Sequence, residues 1–260
     1  MAAVLAPLQA HIRSIKHRLL IIAATVMAAF VVMFAYAAEM VAWLKRPLAD
    51  DLVFYGPTEA FFASVKVALF AAVVVSLPVI FYQFWKFVEP ALLQKERRWA
   101  IPLFCLAAGL FMLGLVFCNL VILPLVIAFF VDFGMERSLT PQLAVGTYID
   151  FNTKFLFVMG CAFELPLAMS LLARAGLVGW QLFARYRRHA ILASLVVSAI
   201  VTPDATMFTM LLMAVPLMVL YEIGIWGAWW FRRYAPAASA NQSFTIDGEL
   251  PIETAGHRMR

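Results

Sequence analysis

Charge is scarce in this chain. Asp, Glu, Lys and Arg make up 13% of its 260 residues, about half the share of an average soluble domain, which is too little polar surface for a water-soluble fold of this length. Cysteine is scarce as well. Cys105, Cys118 and Cys161 all lie within apolar runs, at spacings that match no metal site, and an odd number leaves no complete disulfide set. They read as small apolar fillers. Of the four histidines, His11, His17 and His189 fall in basic segments and His257 near the C-terminus, so the apolar runs hold no metal or proton-relay cluster. There is no G-x-S-x-G elbow, no H-E-x-x-H and no P-loop. An enzyme is therefore not expected, and neither a catalytic residue, a metal nor a cofactor is assigned. The absence of an internal repeat removes support for an inverted-repeat transporter.

What is abundant is apolar surface: 65% of the residues are hydrophobic. The long runs are Leu19–Ala38, Val67–Trp85, Ala100–Val131, Phe155–Ala173, Ala190–Thr202 and Ala205–Phe231. A bilayer core about 30 Å thick needs roughly 20 helical residues per crossing. The expectation is an all-α polytopic membrane protein with six transmembrane helices, forming a single domain over residues 1–235. A polar tail over 236–260 is expected to be disordered. Ala190–Thr202 offers only about 13 residues, or roughly 20 Å of helix; with the Thr202-Pro203-Asp204 turn it makes a short hairpin that thins the lipid or shelters against longer neighbours. Ala35-Tyr36-Ala37 resembles a signal-peptidase site, but the apolar run before it exceeds the roughly 7–15 residues of a cleavable signal, so it reads as a retained first span.

Cations set the sidedness. Arg13, Lys16 and Arg18, then Lys95, Arg97 and Arg98, then Arg174, Arg185, Arg187 and Arg188, and finally Arg232, Arg233, Arg258 and Arg260 fall on one side of six alternating spans. The other side has Lys45, Arg46, Lys66, Arg137 and Lys154. The positive-inside rule places both termini in the cytoplasm, and the net charge of +5 is a topology signal, not a nucleic-acid footprint. The outer segments Glu39–Lys66 and Asp132–Lys154 carry aromatics among acids, which suits an interfacial cap with short amphipathic helices.

Four carboxylates stand out. Glu96, in Phe87-Val88-Glu89-Pro90-Ala91-Leu92-Leu93-Gln94-Lys95-Glu96-Arg97-Arg98, sits at a lipid–water boundary where it would pair bidentately with a guanidinium; a local ion pair with Lys95, Arg97 or Arg98 is the plainer alternative. Glu164, in Phe163-Glu164-Leu165-Pro166, lies within the fourth span, where burying a carboxylate costs at least about 2.5–3.5 kcal/mol. Function and a protonated, hydrogen-bonded packing role both fit it. Asp204 follows Pro203, as ordinary turn and helix-capping chemistry allows. Glu222 lies toward the cytoplasmic end of the last span, within reach of Arg232, Arg233 or another basic inner segment.

These motifs together resemble one family. Pro-Ala-Leu-x-x-x-Glu-Arg-Arg in the first cytoplasmic loop, Phe-Glu-Leu-Pro in the fourth span, the Thr-Pro-Asp turn, and Pro216 through Leu220-Tyr221-Glu222-Ile223-Gly224 are similar to TatC, the multispanning receptor of the twin-arginine protein translocase. The resemblance runs from about His11 to Phe231. It implies a glove-shaped, concave fold that binds the twin-arginine signal peptides of folded cargo, assembles with single-span TatA and TatB proteins in an oligomeric complex, and uses the proton-motive force. It also implies roles: Glu96, Arg97, Arg98 and Phe87 at the signal peptide, Glu164 and Glu222 as intramembrane polar contacts, and Pro47 and Asp204 on the outer side.

One departure is plain. The family arm reads His-Leu-x-Glu-Leu-Arg-x-Arg-Leu, whereas here it is His11-Ile12-Arg13-Ser14-Ile15-Lys16-His17-Arg18-Leu19, with Ser14 for the glutamate and Lys16 for the first arginine. Glu89, beside Pro90, is the nearest carboxylate to substitute. A secondary transporter using Glu164 and Glu222, and a scaffold paralogue that has lost signal reading, are the competing classes.

Overall fold

The computed structural model describes residues 2–45, 52–88, 100–135, 143–176, 178–202 and 206–231. These fold as α1 (Ala2–Ala35), α2 (Ala37–Leu44), α3 (Glu59–Val88), α4 (Ala100–Phe117), a π-turn (Cys118–Ile122), α5 (Leu123–Met135), α6 (Val145–Phe163), α7 (Leu165–Arg174), α8 (Trp180–Arg185), α9 (Arg187–Val201) and α10 (Met207–Phe231). No strand occurs among the described residues; the one β-type contact is an isolated bridge between Val53 and Ala144. Helices dominate because hydrocarbon offers no partner for an open backbone group.

Five helical stretches among the described residues are long and apolar enough to cross a membrane: Ile15–Ala35, Glu59–Phe84, Pro102–Gly134, Val145–Arg174 and Met207–Trp230. The short-hairpin reading expects both of the last two spans to be short. The 15 residues of α9 rise about 22 Å and fall short of a crossing length, whereas α10 runs for 25 residues and is long enough to cross, because its apolar run continues unbroken through Pro216. Three boundaries differ from the apolar runs. The basic arm before Leu19 is helical from Ala2, because Lys and Arg are good helix formers that a search for apolar runs ignores. At the other end of the bundle, α3 starts at Glu59 and α6 at Val145, so the segments expected as an interfacial cap with short helices also supply the first turns of two spans.

Prolines account for the irregular backbone. Pro124 has no N–H to offer the Leu120 carbonyl, and the π-turn immediately before it absorbs that lost bond. Pro166 likewise leaves the Ala162 carbonyl without its usual donor, and the fourth span breaks between α6 and α7 at Glu164. Within α9, the hydroxyls of Ser194, Ser198 and Thr202 each donate to the carbonyl one turn back, at 2.8, 2.7 and 2.7 Å. That ladder lets the buried Ser198 and Thr202 sit in the bundle with their protons satisfied.

The helices pair α1 with α3, α4 with α6, α3 with α6, and α10 with both α7 and α9. One core cluster joins Cys118, Ile122, Leu123 and Val126 to Phe155, Leu156 and Met159 of α6 and to Met213, Leu217 and Leu220 of α10. A smaller one joins Leu44 of α2, Ala63 and Val67 of α3, and Tyr148 and Ile149 of α6. Lipid gives helices little hydrophobic reason to associate, so close approach at small residues matters. A Cβ on Gly160 would lie 2.5 Å from the Phe111 ring, and one on Gly114 would lie 2.8 Å from the Met159 carbonyl. Gly224 and Gly227 of α10 meet Met169, Pro166 and Ser170 of α7 in the same way. Gly109 of α4, by contrast, has nothing within 4 Å of its Cβ position. Gly160→Leu is therefore expected to destabilise the detergent-solubilised protein by about 1–3 kcal/mol, read as a lower thermal midpoint, while Gly109→Leu leaves the midpoint near that of the parent.

Candidate functional site

Glu164 occupies the break in the fourth span. Its amide donates to the Cys161 carbonyl at 3.2 Å, a tight final turn, and its carbonyl accepts from Ala168 at 2.9 Å as α7 begins. The side chain lies against the backbone of Phe111 on α4. Its Oε1 is buried and has no hydrogen-bond partner among the described residues. One turn on, the Ser170 hydroxyl is spent on the Pro166 carbonyl at 2.6 Å. A buried acceptor left open in this way costs free energy and is complementary to a donor brought by another molecule.

Glu222 differs. Its carboxylate pairs with Arg187 at 3.0 Å, both side chains being about half exposed, so the sequence-level expectation of a basic inner partner is met by the α9 segment. The neighbouring Tyr221 hydroxyl donates to the Phe183 carbonyl at 2.9 Å. Together they tie the end of α10 to α8 and α9. An ion pair this exposed is worth at most about 1 kcal/mol. Glu222 is thus engaged locally and is not free to share an ion with Glu164. Among the described residues no group of three or more His, Cys, Asp or Glu could hold a metal ion.

Of the other residues singled out from the sequence, Pro47, Glu89, Glu96, Arg97, Arg98 and Asp204 lie outside the described residues. Ser14 and Lys16 lie on α1, with Lys16 exposed, and Phe87 lies in the last turn of α3. Phe34, at the end of α1, and Phe61, at the start of α3, have rings 6.3 Å apart, and since the two helices pack extensively on each other they run antiparallel. The N-terminal arm therefore runs beside the end of α3 from which the Glu89–Arg98 segment leaves. We call this the arm end of the bundle and the opposite one the cap end.

The cap end holds a constellation that the sequence reading missed. Glu59 Oε2 accepts from the Tyr55 amide and Oε1 from the Gly146 amide, each at 2.8 Å. Val53 exchanges backbone bonds with Leu143 and Val145 at 3.1 and 2.9 Å. Lys66 pairs with Asp150, and the buried Tyr148 hydroxyl donates to the Leu44 carbonyl at 2.8 Å. A carboxylate bridging two loop amides makes charge-assisted bonds. The available signal was an acidic residue opening a helix directly after Gly56-Pro57-Thr58.

A family model described as Sec-independent protein translocase protein (TatC) matches residues 10–216. The chain belongs to the TatC family. TatC proteins of Aquifex aeolicus and Campylobacter jejuni are each 37% identical to it over 225 residues, spanning 84% of this chain and 93% and 91% of theirs. A crystal structure of the twin-arginine translocase receptor TatC superposes with a TM-score of 0.78 at 35% identity, covering 85% of this chain and 99% of that one. A second, of TatC in DDM, gives 0.77 at 36% identity. This TatC-family chain is thus a multi-pass membrane component of protein transport, not an enzyme. In it, replacing Glu164 by leucine removes a buried orphan acceptor, so Glu164→Leu is expected to raise the thermal midpoint, by about 1 kcal/mol or more of stability, with Glu164→Gln falling between.

Proposed function

We propose that this protein is the signal-reading subunit of a twin-arginine translocase in the bacterial inner membrane, with one six-span domain, both termini in the cytoplasm and a polar cytoplasmic tail. The observation that carries this reading is the match to a twin-arginine translocase receptor along 85% of the chain at 35% identity. At the arm end, Glu96 accepts the guanidinium groups of the signal peptide, with Arg97, Arg98 and Phe87 shaping the same surface. Lys16 and Ser14 border it from α1. The carboxylate that the family arm carries at the Ser14 position is supplied here by Glu89, close to the end of α3.

Within the membrane, Glu164 receives a polar group of a single-span TatA- or TatB-type partner, a reading supported by its Oε1 having no hydrogen-bond partner among the described residues. Pro47 and Asp204 act at the cap end, and folded cargo passes at the expense of the proton-motive force once the oligomeric complex has formed. The scaffold alternative predicts partner binding without signal binding.

Photocrosslinking tests the assignment. A photoreactive residue at position 96 should crosslink to a twin-arginine signal peptide and not to the same peptide with both arginines changed to lysine; the same probe at position 14 shows whether the altered arm takes part. Arginine-independent or absent crosslinking from both positions in folded, inserted protein selects the scaffold. Glu89→Ala should weaken signal-peptide binding about tenfold, and unchanged affinity would remove Glu89 from the site.

A further inference from the structure

The seam between α1 and α3 contains two buried polar atoms without a hydrogen-bond partner among the described residues. Ser76 is 1% exposed, and its Oγ has no hydrogen-bond partner among the described residues; Nη1 of Arg18 is equally buried and equally unpartnered. Phe61, Ala68, Ala72 and Ser76 recur at helical spacing on one face of α3, and Phe61 packs against Phe34 of α1. On α1 the half-buried residues Arg18, Ile22, Thr25, Ala29 and Met33 form the matching stripe. With residue 34 level with residue 61 in an antiparallel pair, Arg18 comes level with the turn at Ser76 and Leu77. Both orphans therefore lie on facing stripes at one depth.

That depth is unusual. In the same register Lys86, at the end of the apolar run of α3, is level with residue 9, while the apolar run of α1 begins only at Leu19. The ten-residue offset is about 15 Å of helix. Beside α1, the boundary between polar and apolar sequence thus lies well inside the slab that α3 would span. A guanidinium at that position needs oxygen acceptors, and hydrocarbon has none.

We propose that the α1–α3 seam is a binding site for the phosphate of an anionic phospholipid from the leaflet at the arm end. The Arg18 guanidinium donates to the phosphate oxygens and the Ser76 hydroxyl donates to the same headgroup, in the manner of basic pockets between spanning helices. The half-exposed stem of Arg18 and the exposed Leu19 and Leu20 leave the seam open to lipid on one side. The site is separate from Glu164, which faces α4.

The full chain in detergent, titrated with phosphatidylglycerol or phosphatidylcholine and followed by native mass spectrometry, tests this. One phosphatidylglycerol should be held in clear preference to phosphatidylcholine by the unaltered protein. Arg18→Gln should weaken it roughly five- to tenfold, Ser76→Ala should weaken it less, Arg18→Lys should retain part of it, and Arg188→Gln should leave it unchanged. Inorganic phosphate should not displace the lipid; displacement would make the ligand a free anion and overturn the lipid assignment. Equal retention of the two lipids by the unaltered protein, or undiminished phosphatidylglycerol binding by Arg18→Gln, would overturn the site itself.

Discussion

Close helix approach without a hydrophobic drive is the constraint on which this structure depends. In lipid an apolar side chain gains little by leaving one hydrocarbon neighbour for another, so the helices are held where small residues allow backbone-level contact. Gly160 against Phe111 and Gly114 against Met159 join α4 to α6, and Gly224 and Gly227 against Met169 and Ser170 join α10 to α7. The first contact also sets the surroundings of Glu164, because Phe111 is its neighbour on α4. The packing that brings α4 close is the packing that encloses the carboxylate.

The same economy of partners explains where polarity is tolerated. Ser194, Ser198 and Thr202 spend their protons on their own helix, Tyr148 and Tyr221 reach carbonyls on neighbouring helices, and Glu222 finds Arg187. Against that background the atoms of Glu164, Arg18 and Ser76 that have no partner among the described residues stand apart. Buried polar atoms without a partner are exceptional in folded proteins, and each calls for a physical account.

Much of this was legible in the sequence, for definable reasons. The spans were visible because hydrocarbon imposes a length and an apolar composition on any crossing helix. Glu164 was visible because a carboxylate inside such a run is costly, and Pro166 beside it announced the break. The extension of α1 back to Ala2 was not visible, since helical propensity in a basic arm leaves no apolar trace. Nor was the Glu59 bridge: its acceptor role depends on Gly146, 87 residues away, and no local pattern encodes a pairing at that separation. Glu222 had several basic candidates within reach, and only the return of α9 beside α10 selects Arg187.

The bridge at the cap end has a mechanical consequence. Glu59, the Val53–Ala144 contact and the Lys66–Asp150 pair pin the starts of α3 and α6 to each other, as a rivet fixes two long rods at one extremity. Rods joined there can part only by fanning open at the far extremity, where a small angle becomes a large opening. The cap end is therefore the fixed end of this pair, and any change in the angle between α3 and α6 is felt most beside the N-terminal arm.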